Sequence, residues 1–225
     1  MEAGGQFNKR IQFEKRMEKL QKQLLQMGEL VENSIAKAVQ ALKEQQVSLA
    51  EEVIGEDDEI DRLEMEIEEG CLTLIATQQP MAKDLRKVAT LFKMIVDLER
   101  MADYATDIAK LVRRIGDEPL IKPLVDIPRM ASLTQQMVKE SLDAYIQEDV
   151  DLAVEMAAKD DEVDKLHKQI FRELFTIMLE NPRVITQATH LLFVSRYLER
   201  IADHATNIGE EVVFLVTGEK KDLNE

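Results

Sequence analysis

The sequence predicts an all-α protein built as two tandem antiparallel three-helix bundles, and three observations carry that expectation. Apolar residues make up 45% of the 225-residue chain but aromatics only 4%, with no tryptophan, so Leu, Ile, Val, Met and Ala supply the packing. Apolar positions recur at intervals of three and four, the period of a helix that buries one face. One acidic pattern occurs twice, as Asp97-Leu98-Glu99-Arg100-Met101-Ala102-Asp103-Tyr104-Ala105-Thr106-Asp107-Ile108 and as Tyr197-Leu198-Glu199-Arg200-Ile201-Ala202-Asp203-His204-Ala205-Thr206-Asn207-Ile208. The chain therefore reads as a tandem duplication.

Each element follows from a local pattern. A loose start is expected over Met1 to Gln6. Phe13, Met17, Leu20, Leu24, Met27, Val31, Ile35, Val39 and Leu42 then form the seam of a long first helix. They read as core, with self-association through Met17 and Leu24 as the alternative. Glu44-Gln45-Gln46-Val47-Ser48 is a turn, and a second helix begins near Leu49, bends at Gly55 and continues through Ile60, Leu63, Ile67 and Leu74 to Thr77. Pro80 interrupts it and suits the start of a third helix, Met81 to Ile115, about 50 Å long. Gly116-Asp117-Glu118-Pro119 ends that helix, and the stretch through Pro123 and Pro128 is the linker. This gives a first bundle at 7–118, a linker at 119–127 and a second bundle at 128–217.

In the second half the expected helices are Arg129 to Ile146, Asp149 to Leu179, and Arg183 to Val216 after the Asn181-Pro182 break. Lys159-Asp160-Asp161-Glu162-Val163-Asp164 answers Glu56-Asp57-Asp58-Glu59-Ile60-Asp61 at an offset of 103, whereas the third-helix motifs are 100 apart. Such a slip places the length changes in loops around two bundles with cores of their own, which can lie end to end.

A formal net charge of −15 repels phosphate backbones and excludes nucleic-acid binding as the main role. The basic segment from Lys9 and Arg10 to Lys22 is read as a solvated face of the first helix, with an anionic membrane or an acidic partner as the alternative. The single cysteine, Cys71, rules out an internal disulfide and sits in a core pattern. No signal peptide is recognisable, and no apolar run approaches the roughly 20 residues of a membrane span. A cytoplasmic protein is expected, with attachment to a membrane complex left open.

Glu99, Asp103 and Asp107 stand at i, i+4 and i+8, so each is turned about 40° around the helix from the last and set about 6 Å along it. Glu199, Asp203 and Asn207 repeat the ladder with an amide in the last place. Like charges so spaced repel unless a cation, an arginine or bulk water separates them. Asp57, Asp58 and Asp61, matched by Asp160, Asp161 and Asp164, would approach from the second helices, and Glu29, Asn33 and Glu140 are weaker candidates from the first. A set made only of oxygens suits Mg²⁺, Ca²⁺, Mn²⁺ or a hard iron ion better than a closed zinc site. Salt bridges from Arg100 and Arg200 are the metal-free alternative. His167, His190 and His204 read as packing or surface residues, as do Ser34, Ser141 and Ser195. No phosphate-cradling glycine loop, nucleophile elbow or Glu-x-x-His pair points to catalysis.

The chain closely resembles the PhoU family of phosphate-transport regulators. The resemblance rests on Gln79-Pro80-Met81-Ala82-Lys83-Asp84-Leu85-Arg86, Asp97 to Asp103, Asn181-Pro182-Arg183 and Leu198 to Ile208. It implies two three-helix bundles with spectrin-like up-down packing, each holding a metal ion or small cluster on its surface. The implied ligands are Asp61, Glu99, Asp103 and Asp107 in one half, and Asp164, Glu199, Asp203 and Asn207 in the other. The family suggests iron or zinc, and magnesium or manganese also suit it; the exchange of Asp107 for Asn207 implies unequal sites. It further implies a negative regulator of phosphate uptake and of the phosphate-starvation response, without enzymatic activity. Its implied partners are the ATPase subunit of a phosphate ABC transporter and a phosphate-sensing histidine kinase, with a homodimer left open and no membrane span. A metal-dependent hydrolase and a metal-free structural adaptor are the rival readings.

Overall fold

The computed structural model describes residues 2–223, with side chains described from Arg10 onward. Among these residues the secondary structure is entirely helical: α1 (Glu2–Glu44), α2 (Val47–Gln78), α3 (Lys83–Ile115), α4 (Asp126–Gln147), α5 (Val150–Ala157), α6 (Asp160–Glu180), a short 3₁₀ turn (Pro182–Val184) and α7 (Ile185–Thr217). The expected loose start falls within α1, apart from Met1, which lies outside the described residues. The predicted seam of α1 is buried throughout, including Met17 and Leu24, which are therefore core residues and not an exposed contact.

The duplication is visible in how helices end. Gln45 and Glu148, 103 residues apart, both adopt left-handed geometry (φ 52° and 50°), and the next amide in each case reaches back to the carbonyl five residues before it, Gln46 to Ala41 and Asp149 to Ala144, at 2.9 Å. The turn into the second helix is thus the same backbone device twice. One ion pair also recurs with its charges exchanged. Lys37 Nζ meets Glu56 at 2.6 Å, and at the equivalent positions Glu140 on α4 meets Lys159.

Three expectations are corrected. The bend placed at Gly55 is absent, since α2 runs unbroken through it; the break lies at its counterpart in the other half, where Ala158 and Lys159 separate α5 from α6. There the Lys159 amide bonds the Met156 carbonyl (3.0 Å) and the Glu162 amide bonds the Lys159 carbonyl (2.9 Å), tightening the chain to three residues per turn. The linker also ends earlier than expected, because α4 begins at Asp126 and accepts Pro128 in its first turn, where a missing amide costs no helical bond. It is held rather than loose: buried Gln187 accepts from the Ile121 amide (2.7 Å) and donates to the Pro119 carbonyl (3.1 Å), and Gln45 donates to the Glu118 carbonyl (2.6 Å).

Finally, the bundles lie side by side, not end to end. Helix α3 packs on α7 and α1 on α4, so the buried residues form one continuous core. Ala102, Ala105, Ala202 and Ala205 are all buried, which lets α3 and α7 approach closely. Across this seam Nδ1 of His204 donates to Oδ1 of Asp97 at 2.8 Å, and the amide of Asn207 donates to the same oxygen at 3.1 Å. The positions equivalent to Asp97 and His204 are Tyr197 and Tyr104, which stack at 5.7 Å.

Candidate metal centre

Helices α2 and α3 run antiparallel with their acidic stretches at the same level, and the short turn at residues 79–82 fixes that register. The carboxyl of Glu99 is pushed up to about 7, first by burial and then by Asp103, with Glu64 and Asp61 adding to the rise and Arg100 opposing it. Asp57 is raised by burial, then by Asp61 and Asp103, against a hydrogen bond from the Thr106 hydroxyl. Glu64 is raised by burial and by Glu68, Asp61 and Asp103. Asp57, Asp61, Glu64, Glu99 and Asp103 therefore feel one another across the α2–α3 groove.

The second half repeats four of these five positions. Asp160 is pushed up to about 6 by burial and then by Asp203, Asp164, Glu199 and Asp161. Glu199 is raised by burial and by Asp203 and Asp164, against Arg196 and Arg200. Asp57, Asp61, Glu99 and Asp103 thus correspond one to one with Asp160, Asp164, Glu199 and Asp203. Glu64 has no acidic counterpart, because His167 takes its place.

The last rungs of the two ladders stand apart from these sets. Asp107 pairs with Lys110 at 3.0 Å, and Asn207 bonds Asp97 across the α3–α7 seam. The 40° step explains the separation: two steps turn the third rung about 80° away from the first, out of the groove and toward the other bundle. Glu29 and Asn33 are exposed on α1, where Glu29 faces Glu32, and Glu140 is taken by Lys159. Sequence reasoning undervalued Asp57 and Asp160 and missed Glu64. The first two were legible as i, i+4 partners of Asp61 and Asp164, whereas a comparison of the repeats hides Glu64.

The cationic alternative is partly realised. Arg100 and Arg200 reach Asp103 and Asp203 at 3.2 and 3.3 Å, and Arg196 pairs with Glu199. Some oxygens remain unanswered: Asp160 Oδ1 and Glu199 Oε2 are buried without a hydrogen-bond partner among the described residues. Orphaned anionic oxygens in a half-buried acidic groove fit a hard cation. Among the described residues no three His, Cys, Asp or Glu side chains close into a ligand group as they stand, so a cation would draw the groove together.

The histidines and serines take structural places. Ser195 is fully buried and donates to the Leu192 carbonyl (2.9 Å), with His167 Nδ1 at 3.1 Å from its oxygen. Cys71 is buried as expected, and its thiol is pushed up to about 12 by burial.

The PhoU domain family model matches residues 24–112 and again 127–212, one copy per bundle. The chain belongs to the PhoU family. Similar proteins include the phosphate-specific transport system accessory protein PhoU homologs of Clostridium acetobutylicum, 43% identical over 214 residues, and of Aquifex aeolicus, 46% identical over 205. The first alignment covers 95% of this chain and 98% of its relative, and the second covers 91% and 93%. The crystal structure of PhoU from Pseudomonas aeruginosa superposes with a TM-score of 0.89 at 38% identity, covering 92% of this chain and all of that one (100%). The phosphate transport system regulatory protein PhoU from Streptococcus pneumoniae superposes at 0.87 with 31% identity, covering 93% and 99%. The PhoU matches thus take in both acidic grooves and the loop between the bundles.

Proposed function

We propose that this PhoU-family chain is a non-enzymatic accessory regulator of phosphate transport that carries a metal in each acidic groove. It restrains phosphate uptake and the phosphate-starvation response by contact with the transporter's ATPase subunit and with a phosphate-sensing histidine kinase. Near-complete alignment with relatives named as accessory proteins of a phosphate-specific transport system supports the transport role. Among the described residues no helix is long and apolar enough to cross a membrane.

The observation that carries the metal reading is the pair of matched carboxylate quartets, one of which keeps two buried oxygens without partners. Asp57, Asp61, Glu99 and Asp103 would hold one ion or cluster, and Asp160, Asp164, Glu199 and Asp203 the other. A bound hard cation would supply charge neutralisation and draw α2 toward α3 and α6 toward α7. Iron, manganese and magnesium suit the oxygen donors directly, and zinc is admitted by carboxylates.

Elemental analysis of gently purified protein tests the metal, with a variant carrying Glu99→Ala, Asp103→Ala, Glu199→Ala and Asp203→Ala as the control. Metal in the parent and none in the folded variant is expected. A parent that stays metal-free after exposure to iron, zinc, manganese and magnesium returns the grooves to salt-bridged surface. Surface-immobilised ATPase subunit and kinase from the same cell test the adaptor role. Loss of both interactions in metal-loaded protein would end that reading, whatever the metal content.

A further inference from the structure

The two acidic grooves match at four positions and differ at a fifth, where Glu64 on α2 is answered by His167 on α6. Ser195 fixes the state of that ring. Its hydroxyl donates to the Leu192 carbonyl (2.9 Å), so its oxygen, 3.1 Å from Nδ1 of His167, accepts, and the imidazole carries its proton on Nδ1. The lone pair of the neutral ring then lies on Nε2, which has no hydrogen bond or ion pair among the described residues. Asp164, His167 and Glu199 line one open hollow of about 570 Å³ between α6 and α7. Lys168 holds Oδ2 of Asp164 at 2.7 Å and Arg196 holds Oε1 of Glu199, so each carboxylate is half committed. The other oxygens are not: Oδ1 of Asp164 accepts no hydrogen bond among the described residues, and Oε2 of Glu199, on a residue only 9% exposed, is buried without a partner. Two carboxylates and an imidazole, each with a lone pair unspent, therefore border the same hollow, and neither ion pair has to break for them to be used.

We propose that His167 is a metal ligand: its Nε2 joins Asp164 and Glu199 in the second groove and makes that groove the one that prefers a transition metal. This rests on the reading that the grooves hold metal, and adds which class of ion each prefers. Donor chemistry carries the preference. Imidazole suits Zn²⁺ and Fe²⁺, whereas Mg²⁺ and Ca²⁺ favour oxygen and gain little from it. The first groove has a carboxylate, Glu64, in that place and stays an all-oxygen site for a hard ion. The contact with Ser195 has the form that metal-bound histidines usually show, the distal nitrogen donating to an outer partner that sets the tautomer and the ring's orientation. The hydrogen bond that gives His167 its structural place is thus also the one that leaves the correct nitrogen free. As they stand, the three side chains do not converge on one point, so the ion would draw α6 toward α7.

A full-length variant carrying Glu99→Ala and Asp103→Ala disables the first groove and leaves the second as the site observed. Loaded with Mn²⁺ and dialysed free of excess metal, it is measured by pulsed electron paramagnetic resonance, which detects nitrogen bound to the ion through its nuclear modulation. Nitrogen modulation is expected, and adding His167→Ala should abolish it while circular dichroism shows the helices intact. Zinc and magnesium affinities of the same proteins are then measured by competition with a chromogenic chelator. His167→Ala should weaken zinc by at least the roughly tenfold that loss of even an outer partner costs, and leave magnesium unchanged. His167→Glu installs the residue that the first half carries at this position, so it reports on the ligand even where alanine disturbs packing; it should turn the preference from zinc toward magnesium. Metal bound without nitrogen modulation, modulation that survives His167→Ala, or a zinc-to-magnesium preference unaltered by either substitution overturns the assignment and leaves the metal reading standing. Failure of the second groove to bind any metal overturns both.

Discussion

Replacing Glu99 by glutamine should stabilise the metal-free protein at alkaline pH, which is the reverse of what loss of a charged surface residue usually does. The carboxyl is pushed from its ordinary 4.5 to about 7 by burial and by Asp103, Glu64 and Asp61. Its folded value lies above its unfolded one, so below about pH 4.5 it is neutral in both states and costs nothing. As pH rises from there to about 7 the unfolded chain ionises first and stability falls; above about 7 the full penalty is present. At about 1.4 kcal/mol per pH unit the ceiling is about 3 kcal/mol. The side chain keeps 20% of its exposure beside Arg100, so solvent screening reduces this to about 1–2 kcal/mol. For a chain of this size that corresponds to roughly 2–8 °C in melting temperature. Thermal unfolding followed by circular dichroism in a chelating buffer, at about pH 4.5 and about pH 8, reads the difference directly. Glu99→Gln should match the parent at the lower pH and melt higher at the upper one. Manganese or iron at about pH 8 should then reverse the order, since only the parent has the carboxylate to bind it. A variant that melts below the parent in chelator at about pH 8, or shows an equal gain at both pH values, would refute the electrostatic reasoning.

Other consequences can be checked separately. Cys71, buried and with its thiol pushed up to about 12, should resist a disulfide reagent in the native protein at about pH 8 and react within seconds once unfolded in guanidinium. Gln187→Ala removes both bonds to the linker and leaves the Ile121 amide unpaired, so it should cost about 1–3 kcal/mol and speed proteolysis within residues 116–125. Urea titration together with mapped limited digestion tests that; unchanged cleavage would mean that the linker is held elsewhere. Exchanging the charges of Lys37 and Glu56 reproduces the polarity of Glu140 and Lys159. Each single reversal should therefore cost about 0.5–1 kcal/mol, given that both side chains are a third or more exposed, and the double reversal should recover most of it in a double-mutant cycle.

The helical class of the chain and the helices of its first half were legible because the apolar period along α1, α2 and α3 is long and regular, so burial follows the written pattern. The side-by-side placement was not, because the residues that join α3 to α7 look like the rest of the core and the seam pairs residues more than a hundred positions apart. The α5–α6 break was hidden for a similar reason. It occurs at Ala158 and Lys159, good helix formers, while the glycine that looked like a hinge stands in a straight helix, so tertiary context overrode propensity in both directions. In the grooves, the i, i+4 spacing found Glu99, Asp103 and their copies. Asp107 and Asn207 follow the same spacing, and the 40° step turns them toward Lys110 and the seam.

The duplication has kept what packs and altered what faces outward or across the seam. An ion pair survives with its charges exchanged at Lys37–Glu56 and Glu140–Lys159. Of two symmetry-related seam contacts, one is the Asp97–His204 hydrogen bond and the other the Tyr104–Tyr197 stack. Both exchanges fill equivalent space by different chemistry, which an interior tolerates when volume and polar satisfaction are maintained. On the outer faces no such constraint operates, and there the residues change in charge and character: Glu68 and Glu69 become Phe171 and Arg172. A symmetric molecule would present two identical acidic grooves and two identical faces. This one has a first groove with one extra carboxylate, a second with two unsatisfied oxygens, and outer faces of opposite charge. Unequal grooves imply unequal cation affinity, so stepwise metal titration should resolve two phases, and Glu64→His should bring the first groove toward the second. A single phase in the parent, unaltered by that substitution, would mean that the four matched carboxylates alone set the affinity.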